Sequence, residues 1–212
     1  MKKQPTNKLA YFETVSHKSR LPLIATVMLL TTLGTSAVVS ALTAATTISS
    51  TLSPVISLLT SDGTVNVNVV PTGSGAQTIA SDTVTVSTSD SSGYTLNLAE
   101  TGASSNLVSG GNTIPTSSGS QASPAVMAAN TWGYRVDSLG GFGAGPTSGQ
   151  SSAAIGGIKF AAVPATGSPD TIKTTSGTAS NDTTTVWYGV AANTSQPTGT
   201  YTNSVTYTAT AN

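Results

Sequence analysis

From residue 64 onward, apolar and polar positions alternate with period two in one segment after another. In 64–70, Val65, Val67 and Val69 fall on one side and Asn66 and Asn68 on the other, and 83–87 repeats the pattern with Val84 and Val86. Tyr94, Leu96 and Leu98 resume it after the turn-forming Ser89-Asp90-Ser91-Ser92-Gly93. Trp132, Tyr134 and Val136 form a further inward row, with Arg135 and Asp137 outward. Residues 155–163 read as a strand interrupted by Gly156-Gly157, and the last two runs, 184–192 and 200–211, are long. Alternation of this kind, bounded by Gly, Pro, Asp and Ser, marks half-buried antiparallel strands. With weaker candidates near Leu107 and Ile114, the count reaches about eight or nine. No helical period crosses this region, where 123–130 has room for one turn at most. The expected fold is all-β, an antiparallel two-sheet sandwich over residues 64–212.

The stretches 117–129, 138–152 and 165–183 are mostly Gly, Ser, Thr, Ala and Pro and read as long loops. Gly140-Gly141-Phe142-Gly143-Ala144-Gly145 lacks the Gly-Lys-Ser/Thr ending and following helix of a phosphate cradle, so it reads as a flexible loop.

The pattern ahead of residue 64 is different. Residues 21–42 carry no charge and directly follow Lys18 and Arg20. Leu21, Leu23, Ile24, Val27, Met28, Leu29, Leu30 and Leu33 make an apolar block of signal-sequence length, followed by small residues. The run is also long enough for an uncleaved anchor helix with its basic flank left in the cytoplasm. Either way, 1–42 is a signal peptide or signal anchor, and the body is extracytoplasmic, secreted or held at the cell surface. Residues 43–63 are rich in Thr and Ser, contain Pro54, and read as a tether, with room for helix before the proline.

Composition sharpens this division. Lys2, Lys3, Lys8, Lys18 and Arg20 against Glu13 give the first twenty residues +4, whereas Arg135, Lys159 and Lys173 against seven acids leave the rest at −4. A weakly acidic body with three scattered cations is not built to hold a nucleic-acid backbone. Charged residues are 8% of the chain, against about 25% in typical soluble proteins. There is no cysteine, and the single histidine, His17, lies in the basic leader. A Ser–His–Asp or Cys–His catalytic site in the body is therefore excluded, as is His or thiolate metal ligation. Neither Lys159 nor Lys173 has a serine three residues before it. No catalytic residue, cofactor or metal is expected, although a calcium site built from dispersed loop aspartates stays open.

Two kinds of chemistry remain. Paired carboxylates such as Asp90 and Asp137 would serve a glycosidase if they converged to about 5–9.5 Å, but aspartates beside Gly, Ser or Pro usually make Asx-turns. Trp132-Gly133-Tyr134 and Trp187-Tyr188-Gly189 place large rings on strands beside glycines. Trp187, Tyr188 and Trp132 are thus candidates for stacking on sugars, with core packing the alternative use of the same rings.

Pro197-Thr198-Gly199-Thr200-Tyr201 followed by Ser204-Val205-Thr206-Tyr207-Thr208-Ala209 resembles the closing strand of bacterial Ig-like and pilin-like modules, spore coat protein U among them. The resemblance implies a structural tyrosine corner in which Tyr201 hydrogen-bonds nearby backbone. The cysteines usual in those pilin families are missing here. The whole layout is similar to exported Ser/Thr-rich Ig-like β-sandwich surface proteins of bacteria, a resemblance that brings no activity with it. The expectation is a non-enzymatic surface protein for adhesion, coat or surface-structure building, its partner a surface glycan, another surface protein or itself. It would touch the membrane only through 21–42. The alternatives are a carbohydrate-binding module, and a pilin-like subunit that donates 64–70 to the open sheet of a neighbour.

Overall fold

The computed structural model describes residues 45–212, and within them Ser50–Asn212 form one compact unit. The apolar run 21–42, expected as a signal or anchor helix, lies outside the described residues. Twelve strands and no helix make up the described chain: β1 (Ile56–Thr60), β2 (Ala76–Thr88), β3 (Tyr94–Glu100), β4 (Leu107–Ser109), β5 (Asn112–Ile114), β6 (Ala125–Val126), β7 (Thr131–Arg135), β8 (Gln150–Ala154), β9 (Lys159–Phe160), β10 (Asp170–Thr174), β11 (Ala179–Ala192) and β12 (Val205–Ala211). The larger sheet runs β1-β2-β11-β7, with β8 joining β2 as well, and the smaller runs β10-β3-β12. β4 with β5 and β6 with β9 form two short pairs, and all these strand pairings are antiparallel.

Alternation explains the main core. Val84 and Val86 on β2, Val186, Tyr188 and Val190 on β11, and Trp132 and Tyr134 on β7 belong to one buried cluster with Tyr94, Leu96 and Leu98 on β3 and Ile172 on β10. Each of these aliphatic side chains contributes about 1.5–3 kcal/mol by leaving water. Three tyrosine hydrogen bonds cross this apolar layer from one sheet to the other. Tyr94 Oη donates to Asp182 Oδ2 at 2.8 Å, Tyr134 Oη donates to Asp170 Oδ2 at 2.5 Å, and the Tyr188 and Tyr207 hydroxyls pair at 2.7 Å.

The larger sheet is covered on its other face too. Ile79, Met127, Phe160 and Ala191 form a second buried cluster, with Ile155, Ile158 and Trp187 packed around it. This second layer accounts for departures from the sequence reading. Gln77, Thr78 and Ile79 are buried in succession because β2 has protein on both faces there. Arg135, expected to point outward into solvent, is 5% exposed on that covered face.

Several boundaries also move. Residues 56–60, expected within a tether, are β1, paired with β2 and packing Ile56 and Leu58 on the main core. No helix precedes Pro54 in the described residues. Residues 64–70, expected as a strand, are extended and pack Val65, Val67 and Val69 on the main core, but they join no sheet. The edge of β2 away from β11 is itself occupied, by β1 along Val84–Thr88 and by β8 around Ala76–Ile79. The expected strand 155–163 contracts to β9, and 200–211 begins only at Val205. The expected loops contain β6, β8 and β10.

Candidate functional site

The two aromatic–glycine motifs meet in space. β7 and β11 pair so that Gly133 lies opposite Gly189, Tyr134 opposite Tyr188 and Trp132 opposite Val190. A Cβ on Gly189 would lie 2.8 Å from the Phe160 ring, and one on Gly133 would strike the Ala161 carbonyl oxygen. The glycines thus leave a bare patch on the sheet where Phe160 and β9 settle. Trp132 is 4% exposed, and its Nε1 donates to the Ser105 carbonyl at 2.8 Å; Tyr188 is 5% exposed. Neither ring has a free face for a sugar, so both candidates for stacking are core residues. Trp187 is half-buried against the second cluster, where part of its surface reaches solvent.

Arg135 extends beneath the glycine-rich loop and holds it. Its Nε donates to Asp137 Oδ1 at 2.7 Å and Thr147 Oγ1 at 2.6 Å. Its two terminal nitrogens donate to the carbonyls of Phe142 at 2.6 Å, Gly143 at 3.2 Å and Ala144 at 3.4 Å. Phe142 is buried with its ring edge-on to Tyr134, and Gly141 N donates to the Gln121 carbonyl. The segment expected as a flexible loop is therefore clamped, because a buried guanidinium demands acceptors and the loop carbonyls supply them. Burial alone would raise the Asp137 carboxyl, but the Thr147 hydroxyl and N–H and the Arg135 guanidinium outweigh it and hold the pKa below the usual range. Asp137, expected to face solvent, is thus only partly exposed and fully engaged.

Most of the other acids are committed in similar ways, Asp62 being exposed instead. Asp90 Oδ1 accepts from Ser92 N at 2.8 Å in an Asx-turn. Asp82 is buried, and its Oδ1 accepts from the Ser61 hydroxyl and from the Ser61 and Asp62 N–H groups, which ties the end of β1 to β2. Asp182 accepts from Lys173 Nζ at 2.5 Å and from Tyr94; these interactions overcome burial and lower its pKa. Asp90 and Asp137 belong to separate networks with no shared partner. Among the described residues, no three acids or histidines come together as a metal site.

One groove is lined by polar groups that hold no ion pair, although Thr101 pairs with Thr206, Thr166 donates to the Glu100 and Gly102 carbonyls and Asn97 accepts from Thr171. It lies on the outer face of the smaller sheet, has a volume of about 210 Å³, and is lined by Asn97, Ala99, Thr101, Thr166, Thr206 and Thr208. Glu100 adjoins it, 2% exposed, with Oε1 accepting from Asn203 Nδ2 at 3.0 Å; burial pushes its pKa up, partly countered by that bond. The sequence reading did not single out this groove or Glu100's position. Its only signal was the Thr-x-Thr spacing at Thr206 and Thr208, which also fits any solvent-facing strand. Chemically it offers hydroxyls and amides for polar contacts, without a ring or a pair of opposed carboxylates.

At the chain's end, Tyr201 Oη donates to the Pro197 carbonyl at 2.8 Å and accepts from Gln196 Nε2. This fold-back bond stiffens the turn leading into β12. No helix in the described residues is long and apolar enough to cross a membrane. No protein family, curated protein or solved structure matches the chain.

Proposed function

We propose that this is an exported, non-enzymatic surface protein, its body an Ig-like or pilin-like sandwich of two sheets used for adhesion, coat or surface-structure building. The observation that carries the reading is how the body's ionisable side chains are used. Asp82, Asp90, Asp137, Asp170 and Asp182 are each engaged in bonds that fasten strands, turns or a loop. Hydroxyls line the outer face of the smaller sheet. Such a surface suits contact through hydrogen bonds rather than turnover. The uncharged run 21–42 behind a +4 leader supports export. Contacts would be made through the threonine faces and through loops held on the body.

Fractionation with protease protection tests the reading. The body should be cleaved by protease added to intact cells, or be found in the medium. Accumulation in the cytoplasm with residues 1–20 intact, reached by protease only after lysis, would overturn it.

A further inference from the structure

Sheet edges attract other strands unless something guards them, and natural edges are usually short, charged, bulged, interrupted by proline or covered. Of the five edge strands in the two main sheets, four show such protection. β7 is covered, exchanging backbone hydrogen bonds with Ala161, Pro115 and Ser117. β10 carries Asp170 and Lys173 and a register shift between Thr171 and Lys173. β8 has a register shift opposite Gln77 and Ile79, and Ser152 at φ 48°. β1 is five residues long and starts just after Pro54.

β12 has none of these. It runs seven residues, Val-Thr-Tyr-Thr-Ala-Thr-Ala, in unbroken register with β3, and no charged side chain occurs from Tyr201 to Asn212. Its bonding direction follows from the ends of the ladder. Thr101 N donates to the Ser204 carbonyl at 3.0 Å and Asn212 N to the Gly93 carbonyl at 3.1 Å. Antiparallel bonding alternates along a strand. Even-numbered residues of β12 therefore bond β3, and Val205, Tyr207, Ala209 and Ala211 turn their N–H and C=O groups outward. None of those groups has a partner among the described residues, and β1, which lies near β12, exchanges no backbone hydrogen bond with it.

We propose that β12 pairs antiparallel with β12 of a second copy of this chain, about a two-fold axis through Thr208. A strand meeting itself about Thr208 sets Val205 against the mate's Ala211 and Tyr207 against its Ala209. Every outward N–H and C=O then finds a complementary group, and the contact is the same patch on both copies, as a closed dimer requires. No charge on either strand opposes the approach. Thr206, Thr208 and Thr210 from both copies come onto one face, where cross-strand threonines pair favourably. Two three-stranded sheets become one of six strands. This inference concerns the body alone and stands whether or not the protein is exported.

The absence of cysteine makes the test clean. In the proposed register, Thr208 faces its own counterpart in a non-hydrogen-bonded pair, with Cα atoms about 4.5 Å apart, within disulfide reach. Thr206 faces the mate's Thr210, leaving the two Thr206 positions roughly 13 Å apart along the strand. In the full-length chain, Thr208→Cys should form a disulfide-linked dimer on a non-reducing gel, and Thr206→Cys should not. Wild type should sediment as a dimer. Ala209→Pro, which removes an outward N–H and leaves the β3 ladder intact, should sediment as a folded monomer. If the proline disturbs folding, Thr208→Lys supplies the same readout, because it brings two cations together at the axis. A wild-type monomer at every concentration would overturn the proposal. So would Thr208→Cys staying monomeric because another segment of the same chain covers β12, or equal cross-linking from both cysteine variants.

Discussion

Replacing Arg135 with leucine removes the clamp on the 138–147 loop. The side chain is 6% exposed and its partner Asp137 24%. Removal leaves the carbonyls of Phe142, Gly143 and Ala144 short of their donor and strips Asp137 of its cation. Breaking a buried pair from one side costs about 3–5 kcal/mol, and because water reaches Asp137 we expect the lower end, about 3 kcal/mol. For a body of this size that is a fall in Tm of roughly 6–12 °C. Two assays locate the effect. Thermal unfolding reads the total, and hydrogen exchange reads the amides of Ser138 and Thr147, which donate to the Gly143 carbonyl and to Asp137 Oδ2. The pH dependence has a definite sign. Asp137 has a folded pKa below its unfolded one, so its contribution is present above the unfolded pKa and is lost as pH falls through the folded value. The gap between wild type and Arg135→Leu should therefore narrow in acid. Arg135→Lys keeps the charge but not the fork of donors and should recover only part of the loss. An unchanged Tm with normal protection of both amides would refute the clamp.

Two further outcomes follow from the packing. Gly133→Ala should cost about 1–3 kcal/mol in chemical denaturation, since its Cβ meets the Ala161 carbonyl oxygen and sits 3.2 Å from Phe160 and Ser117; Gly157→Ala, with nothing within 4 Å, should stay within about 0.5 kcal/mol. Equal effects at the two positions would refute the bare-patch reading. Burial first, and then the bonds to Asp182, Asp170 and Tyr188, raise the hydroxyl pKa of Tyr94, Tyr134 and Tyr207, while burial raises that of Tyr188 against the bond from Tyr207. Their contribution is full below the unfolded pKa of about 10 and is lost as pH rises toward the folded values, so alkaline unfolding followed at the tyrosinate absorbance should release these protons together. Gradual ionisation of the folded protein would contradict it.

The main core was legible because period two is a local property. Val84, Val86, Leu96, Leu98, Trp132 and Tyr134 face inward as their alternation requires. What could not be read was whether the opposite face of a strand also meets protein. Arg135 looks solvent-facing from its neighbours, and only the return of β9 and the glycine-rich loop over β7 and β11 encloses it. The same ambiguity left two uses open for the aromatic–glycine motifs. A ring beside a glycine suits either a sugar or a neighbouring segment of chain, and the Gly133–Gly189 pairing that selects the second is a long-range fact. Residues 64–70 have a strand's pattern but no ladder: their valines pack on the main core without bonding a neighbouring strand. The short β6, β8 and β10 escaped notice in Ser/Thr-rich sequence with too little alternation to register.

A β-domain without disulfides needs something other than covalent links to fix how its sheets lie on each other, since apolar contact is non-directional. In this chain tyrosines supply the direction. Tyr94 reaches from β3 to β11, Tyr134 from β7 to β10, and Tyr188 from β11 to Tyr207 on β12, so every strand of the smaller sheet is bonded to the larger one. Each ring fills core volume while its hydroxyl meets one specific acceptor, and hydrogen bonds to charged groups contribute about 1.5–3 kcal/mol. A sheet slid by one residue would lose all three bonds at once. This device also bears on function. It consumes Asp170 and Asp182 and, with the Arg135 clamp and the Ser61–Asp82 tie, spends much of a small stock of charge on holding shape. The parts of the body left to meet a partner are accordingly poor in charge: a threonine face, a groove lined mainly by hydroxyls and amides, and the open backbone edge of β12.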